Sequence, residues 1–444
     1  MKSLKFPENF IWGTATASYQ IEGHPLADGA APSIWHTFTH KKGKIKNNDN
    51  GDIACDHYHR YPEDIEEMKK LGIDAYRFSM SWSRIIPEPG KINQKGLDFY
   101  QELTDKLLKA GITPFCTLFH WDTPQWLQDQ GGFASRESVN HFLYYGEQVF
   151  RTLGDRIKNW ITINEPMVYT LMGYGTGEMA PGKRFDLKGL FHSIHHLLFS
   201  HAELCRLCKA EVESSSIGIA EAQVWIRPAQ PGKEKDILAS EIMDNLINKT
   251  FIDPILFGKY PAIILEKAAR FLPKTFISEL EKMTAPFDFV GINYYMKQDY
   301  RFNLLSPVFH AKETPDPHAQ RSAMWEIYPD GLYNLLMRLK EGYGNPVCYI
   351  TENGYPRIDE KEPFEDMDRI EYLNSHIRMA HKALENGSRL KGYFHWSLMD
   401  NFEWHHGYSM RFGLIHVDFT SLERKWKKSA YWYRDLVTSG ELPK

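Results

Sequence analysis

"YPEDIEEMKKLGIDAYRFSMSW" (residues 61–82) contains the unit that decides how the chain folds. Pro62 suits the first turn of a helix, where its missing N–H would have had no partner, and Gly72 suits the position just past the last turn. Ala75 to Trp82 then reads as continuing extended chain. Residues 97–121, "LDFYQELTDKLLKAGITPFCTLFHW", repeat the order of helix, glycine and apolar strand, with Gly111 as the breaker. Residues 149–166 and 211–223 keep it with other breakers. The segments "FDFVGINYY", "PVCYITENG" and "LKGYFHWSLMD" add three later strands, and "FIWGTATAS" near the start makes eight.

Strands alternating with helices imply a parallel sheet, and eight such units in one chain favour closure into a (β/α)8 TIM barrel over an open doubly wound sheet. No glycine-rich phosphate loop follows the first strand, which argues against a dinucleotide-binding fold. No charge block or Pro/Ser linker divides the chain, so residues 1–444 read as one α/β domain. The polar stretches 227–236 and 306–322 read as loop insertions in it.

Bulk properties narrow the partners. With 444 residues, 42% hydrophobic and 25% charged, the chain can bury a large core without staples. A formal net charge of -4 and a pI near 6.6 give no reason to expect nucleic acid or an anionic membrane as partner, and favour a small neutral ligand. Five cysteines make an odd, sparse set suited to a reducing compartment. The pair in "CRLC" (205–208) reads as thiols on a helix, since no second pair exists to complete a zinc site. The first residues carry no apolar signal segment and no run is long enough to span a bilayer, so a cytoplasmic location is expected.

Two strands end alike. "NWITINEP" (159–166) sets Ile161 and Ile163 in the alternation of a half-buried strand and stops on Asn164, Glu165 and Pro166; "VCYITENGY" (347–355) runs into Thr351, Glu352, Asn353 and Gly354. In a barrel, the ends of the strands share one working rim, so both glutamates would meet there. Two facing carboxyl groups are what glycosidic cleavage requires, one protonating the departing oxygen and the other attacking the anomeric carbon or directing water to it. A gap of about 5–5.5 Å gives retention of configuration and a wider one inversion, and the sequence leaves that open. His120, Trp121, Trp325, Trp396, Glu403 and Trp404 supply flat rings and hydrogen-bonding groups suited to a pyranose. His192, His195, His196 and His201 have helical spacing but no HExxH pattern, so packing rather than metal binding is expected, and no metal or cofactor is expected anywhere.

These residues lie in motifs that resemble glycoside hydrolase family 1, the retaining β-glucosidase family, almost end to end. "FIWGTATASYQIEG", "HWDTPQWL", "INEP", "GINYY", "TENG", "GYFHWSLMDNFEW" and "RFGLIHVDF" follow the family's order and spacing. The resemblance implies hydrolysis of terminal β-glucosyl residues, with galactosyl or fucosyl residues as further substrates, by double displacement. It implies Glu165 as acid/base and Glu352 as nucleophile, with Arg77 and Tyr295 keeping the nucleophile ionised and oriented, and Asn293 nearby. Gln20, His120, Trp121, Asn164, Trp325, Glu403, Trp404 and Phe412 are implied as sugar-site residues, with Trp396 under the ring and Asn164 at the 2-hydroxyl.

Departures from the family pattern concern the entrance. Met167 follows "NEP" where many relatives have tryptophan, placing a thioether in the leaving-group site. "GEMAPG" (177–182) and "GHPLADGAAPSIW" (23–35) also differ from common versions. Glu403 is retained and Met410 and Phe412 stand where phospho-sugar branches bind phosphate, so non-phosphorylated O-glycosides are expected. Two other readings are a sugar-binding protein that kept the barrel without the chemistry, and a synthetic transglycosylase; retention of both acids weighs against the first.

Overall fold

In the computed structural model, residues 4–306, 309–358 and 362–442 are described. Eight parallel strands close a barrel: β1 (Ile11–Ala15), β2 (Ala75–Ser79), β3 (Thr113–Phe119), β4 (Asn159–Asn164), β5 (Ser216–Ala222), β6 (Phe289–Asn293), β7 (Cys348–Asn353) and β8 (Leu390–Trp396). Each pairs with its neighbour in the chain, and β8 pairs with β1 to complete the ring. The outer layer is built by α1 (His57–Leu71), α2 (Gln94–Lys109), α3 (Glu137–Leu153), α4 (Leu187–Glu211), α5 (Thr250–Phe257), α6 (Pro329–Gly342), α7 (Met367–Glu385) and α8 (Lys428–Ser439). The short strands Leu4–Lys5 and Glu441–Leu442 pair with each other, tying the two ends of the described chain together under the barrel.

All eight strands foreseen from the sequence form, and the glycines act as read. Gly72 takes φ +71° and closes α1 by donating its N–H to Met68 and Lys69 carbonyls; Gly111, at φ +77°, follows α2. Three local expectations are corrected. Pro62 lies inside α1, because the helix has already begun at His57 from a left-handed Asp56. The extended run stops at Ser79: the Trp82 N–H bonds to the Asp122 carboxylate and starts a short helix, Trp82–Ile85. β4 is buried on both faces rather than half-buried. Ile161 packs with Ala220 and Phe289 in the small cluster filling the barrel, while Trp160 meets Phe150 of α3 and the Thr162 hydroxyl meets His201 of α4. A parallel strand covered by helices outside and side chains inside has no wet face.

Parts of the stretches read as insertions are regular structure, and residues 307 and 308 of the second lie outside the described residues. Trp225–Pro228, Lys297–Phe302 and Ala311–Glu313 form a three-stranded sheet outside the barrel, joined by a buried Lys297 bridging Asp299 and Glu326; Glu234–Asp244 is a helix. α4 carries the histidines and thiols singled out above. His195 bonds Glu279, His196 the Phe133 carbonyl and His201 Thr162, each to a separate partner, and Cys205 and Cys208 are buried free thiols. Burial lowers the three imidazoles to about 4, 4 and 3, so they are neutral packing groups. Among the described residues, no helix is long and apolar enough to cross a membrane.

Candidate active site

Both glutamates stand at irregularities of the sheet. The β4–β5 register shifts between Ile161 and Asn164, and the β7 pairings shift between Ile350 and Glu352. Such bulges at a barrel rim break the in–out alternation and re-aim side chains; here they turn Asn164, Glu165 and Glu352 towards one another. Glu165 also takes a left-handed φ of 46° and caps the short helix Pro166–Thr170. Trp121 (φ 75°) and Trp404 (φ 45°) share that uncommon conformation, so three non-glycine residues of the rim hold conformations that cost free energy and that the surrounding packing must enforce. Gly354 allows the β7 end to lie against β8, since a Cβ there would fall 1.8 Å from the Trp396 carbonyl oxygen.

One hydrogen-bond network joins the two carboxyl groups. Arg77 Nη1 donates to Glu352 Oε1 at 2.6 Å, and the Tyr295 hydroxyl donates to Oε2 at 2.7 Å. The other guanidinium nitrogen, Nη2, reaches Asn164 Oδ1 at 2.5 Å. That oxygen also accepts from Asn293 Nδ2 at 3.0 Å, and Asn293 Nδ2 donates to Glu165 Oε1 at 2.8 Å. Glu352 is therefore held by a cation and a phenol, and Glu165 by one neutral amide.

The electrostatics follow from those partners. Burial pushes both carboxyl groups above their ordinary value. For Glu165 the charge of Glu352 adds to burial and carries it well above; for Glu352 the Arg77 charge and the Tyr295 hydrogen bond pull back. Glu352 is thus the member of the pair that ionises first, and its charge keeps the proton on Glu165. The Tyr295 hydroxyl is raised well above its ordinary value by burial and by Glu352, so it remains a donor.

The expected sugar-site residues fall around this pair. Asn164 Nδ2 donates to His120 Nε2 at 3.0 Å, which puts the imidazole proton on Nδ1; burial keeps that ring neutral, and Nδ1 has no protein partner. The His120 ring stacks 5.8 Å from both Trp396 and Trp404, and Trp121, whose indole N–H bonds the Asn164 carbonyl, lies 4.6 Å from Trp404. Gln20 Nε2 reaches Glu403 Oε2 at 3.3 Å and the Phe402 carbonyl at 2.9 Å. Burial, then the Glu352 charge, raises Glu403 to about 8, so it meets a ligand at neutral pH as a protonated carboxyl. On the other side, Trp325 and Phe412 pack 5.0 Å and 6.2 Å from Tyr295. Met167 is buried in the first turn after Glu165.

Two contributors were not singled out in the sequence. The Thr351 hydroxyl donates to Asn293 Oδ1 at 2.6 Å and so orients the amide that meets Glu165; Asn401 Oδ1 accepts from Gln20 at 3.1 Å. Both sit inside quoted motifs, "TENG" and "NFEW", but nothing about a threonine or an asparagine there signals a positioning role. The His and carboxylate groups that could hold a metal among the described residues lie away from this network, within residues 24–59.

Comparison with known proteins agrees with the geometry. The family model described as glycosyl hydrolase family 1 matches residues 2–442. The chain is 47% identical over 451 residues to beta-glucosidase A of Thermotoga maritima, covering 100% of both chains. It is 46% identical to a 1,4-beta-D-glucan glucohydrolase of Thermotoga neapolitana, covering 99% of each. A solved Thermotoga maritima family 1 glycoside hydrolase, complexed with a cyclophellitol analogue transition state mimic, superimposes with a TM-score of 0.97 at 47% identity over 100% of both chains.

Proposed function

Because this chain belongs to glycosyl hydrolase family 1 and is a β-glucosidase of retaining type, we propose that Glu352 is its nucleophile and Glu165 its general acid/base. The observation that carries the assignment is the unequal partnership: Arg77 and Tyr295 on Glu352, one amide on Glu165. In the first step a Glu352 carboxylate oxygen attacks the anomeric carbon while the glycosidic C–O bond breaks and the Glu165 proton passes to the departing oxygen. Esterification removes the charge on Glu352. The acidity of Glu165 then rises, and it takes a proton from water as the water oxygen displaces Glu352, restoring the β configuration.

Asn164 is proposed to hold the 2-hydroxyl, His120 Nδ1–H, Gln20 and Glu403 the outer hydroxyls, and Trp396 and Trp404 the apolar face of the ring. A neutral Glu403 with Met410 and Phe412 offers no positive charge for a phosphate, which supports non-phosphorylated substrates. Short β-glucan fragments are proposed as natural substrates, on the strength of the relative described as a glucan glucohydrolase. Interception of the ester by alcohols or sugars is the corresponding synthetic activity. Five unpaired buried thiols support residence in the reducing cytoplasm, and the pairing of the terminal strands supports one catalytic domain.

The assignment is tested with Glu352→Ala and an aryl β-glucoside. Hydrolysis should fall by about 10⁵-fold or more, as for removal of a covalent nucleophile. Added azide should restore turnover and give the α-glucosyl azide; a β product would reverse the two roles.

A further inference from the structure

The long segment after β1 contains a second constellation that the glycosidase chemistry does not use. Helix Ile34–Thr39 starts at Ser33, whose Oγ accepts the His36 N–H, and it presents His36 and His40 one turn apart, with ring centroids at 4.3 Å. The chain returns at Asp52 and offers one carboxylate oxygen to each ring. Oδ1 lies 3.4 Å from His36 Nδ1, and Oδ2 lies 3.0 Å from His40 Nε2.

The hydrogen bonding fixes which atoms face inward. His40 Nδ1 donates to the His36 carbonyl at 2.7 Å, which leaves Nε2 as the atom turned to Asp52, within hydrogen-bond distance of Oδ2 at 3.0 Å. A backbone carbonyl orienting the far nitrogen is the arrangement that metal-binding histidines need. His36 Nδ1 and Asp52 Oδ1 are both buried and neither makes a hydrogen bond. Two ring nitrogens and a carboxylate thus converge, and a cation would replace the proton of the His40–Asp52 hydrogen bond. The ligand atoms of the three residues lie within 4.8 Å of one another, and since each ring faces a different carboxylate oxygen, a cation with bonds of about 2.0–2.1 Å is held once Asp52 turns one oxygen between the two nitrogens or binds through both.

We propose that His36, His40 and Asp52 bind one divalent transition-metal cation of the zinc class, with water completing its shell. Two imidazoles select zinc, cobalt or nickel over magnesium or calcium. His40 and Asp52 are 42% and 39% exposed, which leaves a path for entry and room for water. The neighbouring trio His24, Asp56 and His59 is tighter: His59 Nδ1 and Asp56 Oδ1 are 2.6 Å apart, closer than two ligands of one ion stand, whereas the 3.0 Å at His40 is nearer that spacing. The proposal departs from the sequence expectation of no metal, which weighed the α4 histidines and the lack of an HExxH pattern.

The cation would pin the 34–39 helix to the Asp52 segment. Trp35 of that helix lies 4.4 Å from Trp404, and Thr39 bonds the hydroxyl of Tyr19, the residue before Gln20. The site therefore braces the wall behind the sugar pocket, without touching either catalytic carboxylate, and its occupation should change stability more than turnover.

The test uses the full chain freed of metal with a chelator and titrated with zinc chloride by calorimetry. One zinc per chain is expected, with a melting temperature that rises with zinc concentration. His40→Gln and Asp52→Asn should each weaken binding by more than about tenfold and remove the melting shift, leaving metal-free hydrolysis of an aryl β-glucoside unchanged. Cobalt chloride should give visible ligand-field bands with the parent and none with either variant. No saturable binding to the parent would mean that the trio holds protons alone. Equal binding by parent and variants, or binding lost instead on His24→Gln, would place the metal elsewhere; any of these overturns the proposal.

Discussion

The ends of β4 and β7 are built alike and work differently. Each is a strand of the same barrel, each slips register just before its glutamate, and each buries the carboxyl group. The difference lies in what meets the oxygens: a guanidinium and a phenol at Glu352, an amide at Glu165. A third acid on the barrel, Glu221 of β5, makes the comparison sharper. It is buried, neither of its oxygens has a partner, and burial alone raises it to about 8. Burial makes a carboxyl group hold its proton; an opposed cation is what returns one of them towards the ionised form.

Short of removing Glu352, the largest expected effect is on Glu165→Gln. Glucosides with alkyl leaving groups need the proton, so their kcat/KM should fall by about 10²–10⁴-fold. A 2,4-dinitrophenyl glucoside leaves without one and should keep most of its kcat/KM, while its kcat drops because water is no longer deprotonated. The basic limb of the pH profile should vanish with the proton that causes it. Equal losses for both leaving groups would break the division of roles drawn above.

Glu221→Gln tests the other half of the contrast. In the native chain the group keeps its proton up to about 8, whereas the unfolded chain loses it near the ordinary value of 4.5. Between those values the native state binds more protons, so this group's contribution falls as pH rises and levels off above about 8. Glutamine does not titrate. Urea unfolding from pH 5 to 8 should therefore show the variant gaining on the parent by roughly 3 kcal/mol across the window. Parallel stability curves would mean that Glu221 finds a partner in solution.

Much of this is legible in the sequence. The helix–glycine–strand rhythm fixed eight strands because each βα unit carries its own breaker, as Gly72 and Gly111 do, and closure of the barrel then made Glu165 and Glu352 neighbours. The expected sugar-site residues gather because their motifs all follow barrel strands. What could not be read depends on distant atoms. The start of α1 ahead of Pro62 needs Asp56 in a left-handed turn, and the helical turn at Trp82 needs the Asp122 carboxylate forty residues on. Thr351 looks like any strand threonine until Asn293 is placed beside it. The second strand of each register slip is likewise a fact about pairing, which no single segment records.

Tyr295→Phe has the smallest expected effect and bears most directly on why Glu352 differs. The substitution removes the donor to Oε2 and leaves Arg77 on Oε1. A hydrogen bond to a charged group contributes about 1.5–3 kcal/mol, and 1.4 kcal/mol corresponds to about one pKa unit. Loss of the donor disfavours the carboxylate, so the acid limb of kcat/KM should move up by about one to two pH units. The plateau should fall roughly tenfold as the proposed nucleophile loses its orientation. On the proposed roles the basic limb is that of Glu165 beside a charged Glu352, and it should stay where it is. If the basic limb moves and the acid limb does not, the phenol acts on the proton donor, and the asymmetry between the two strand ends has been assigned the wrong way round.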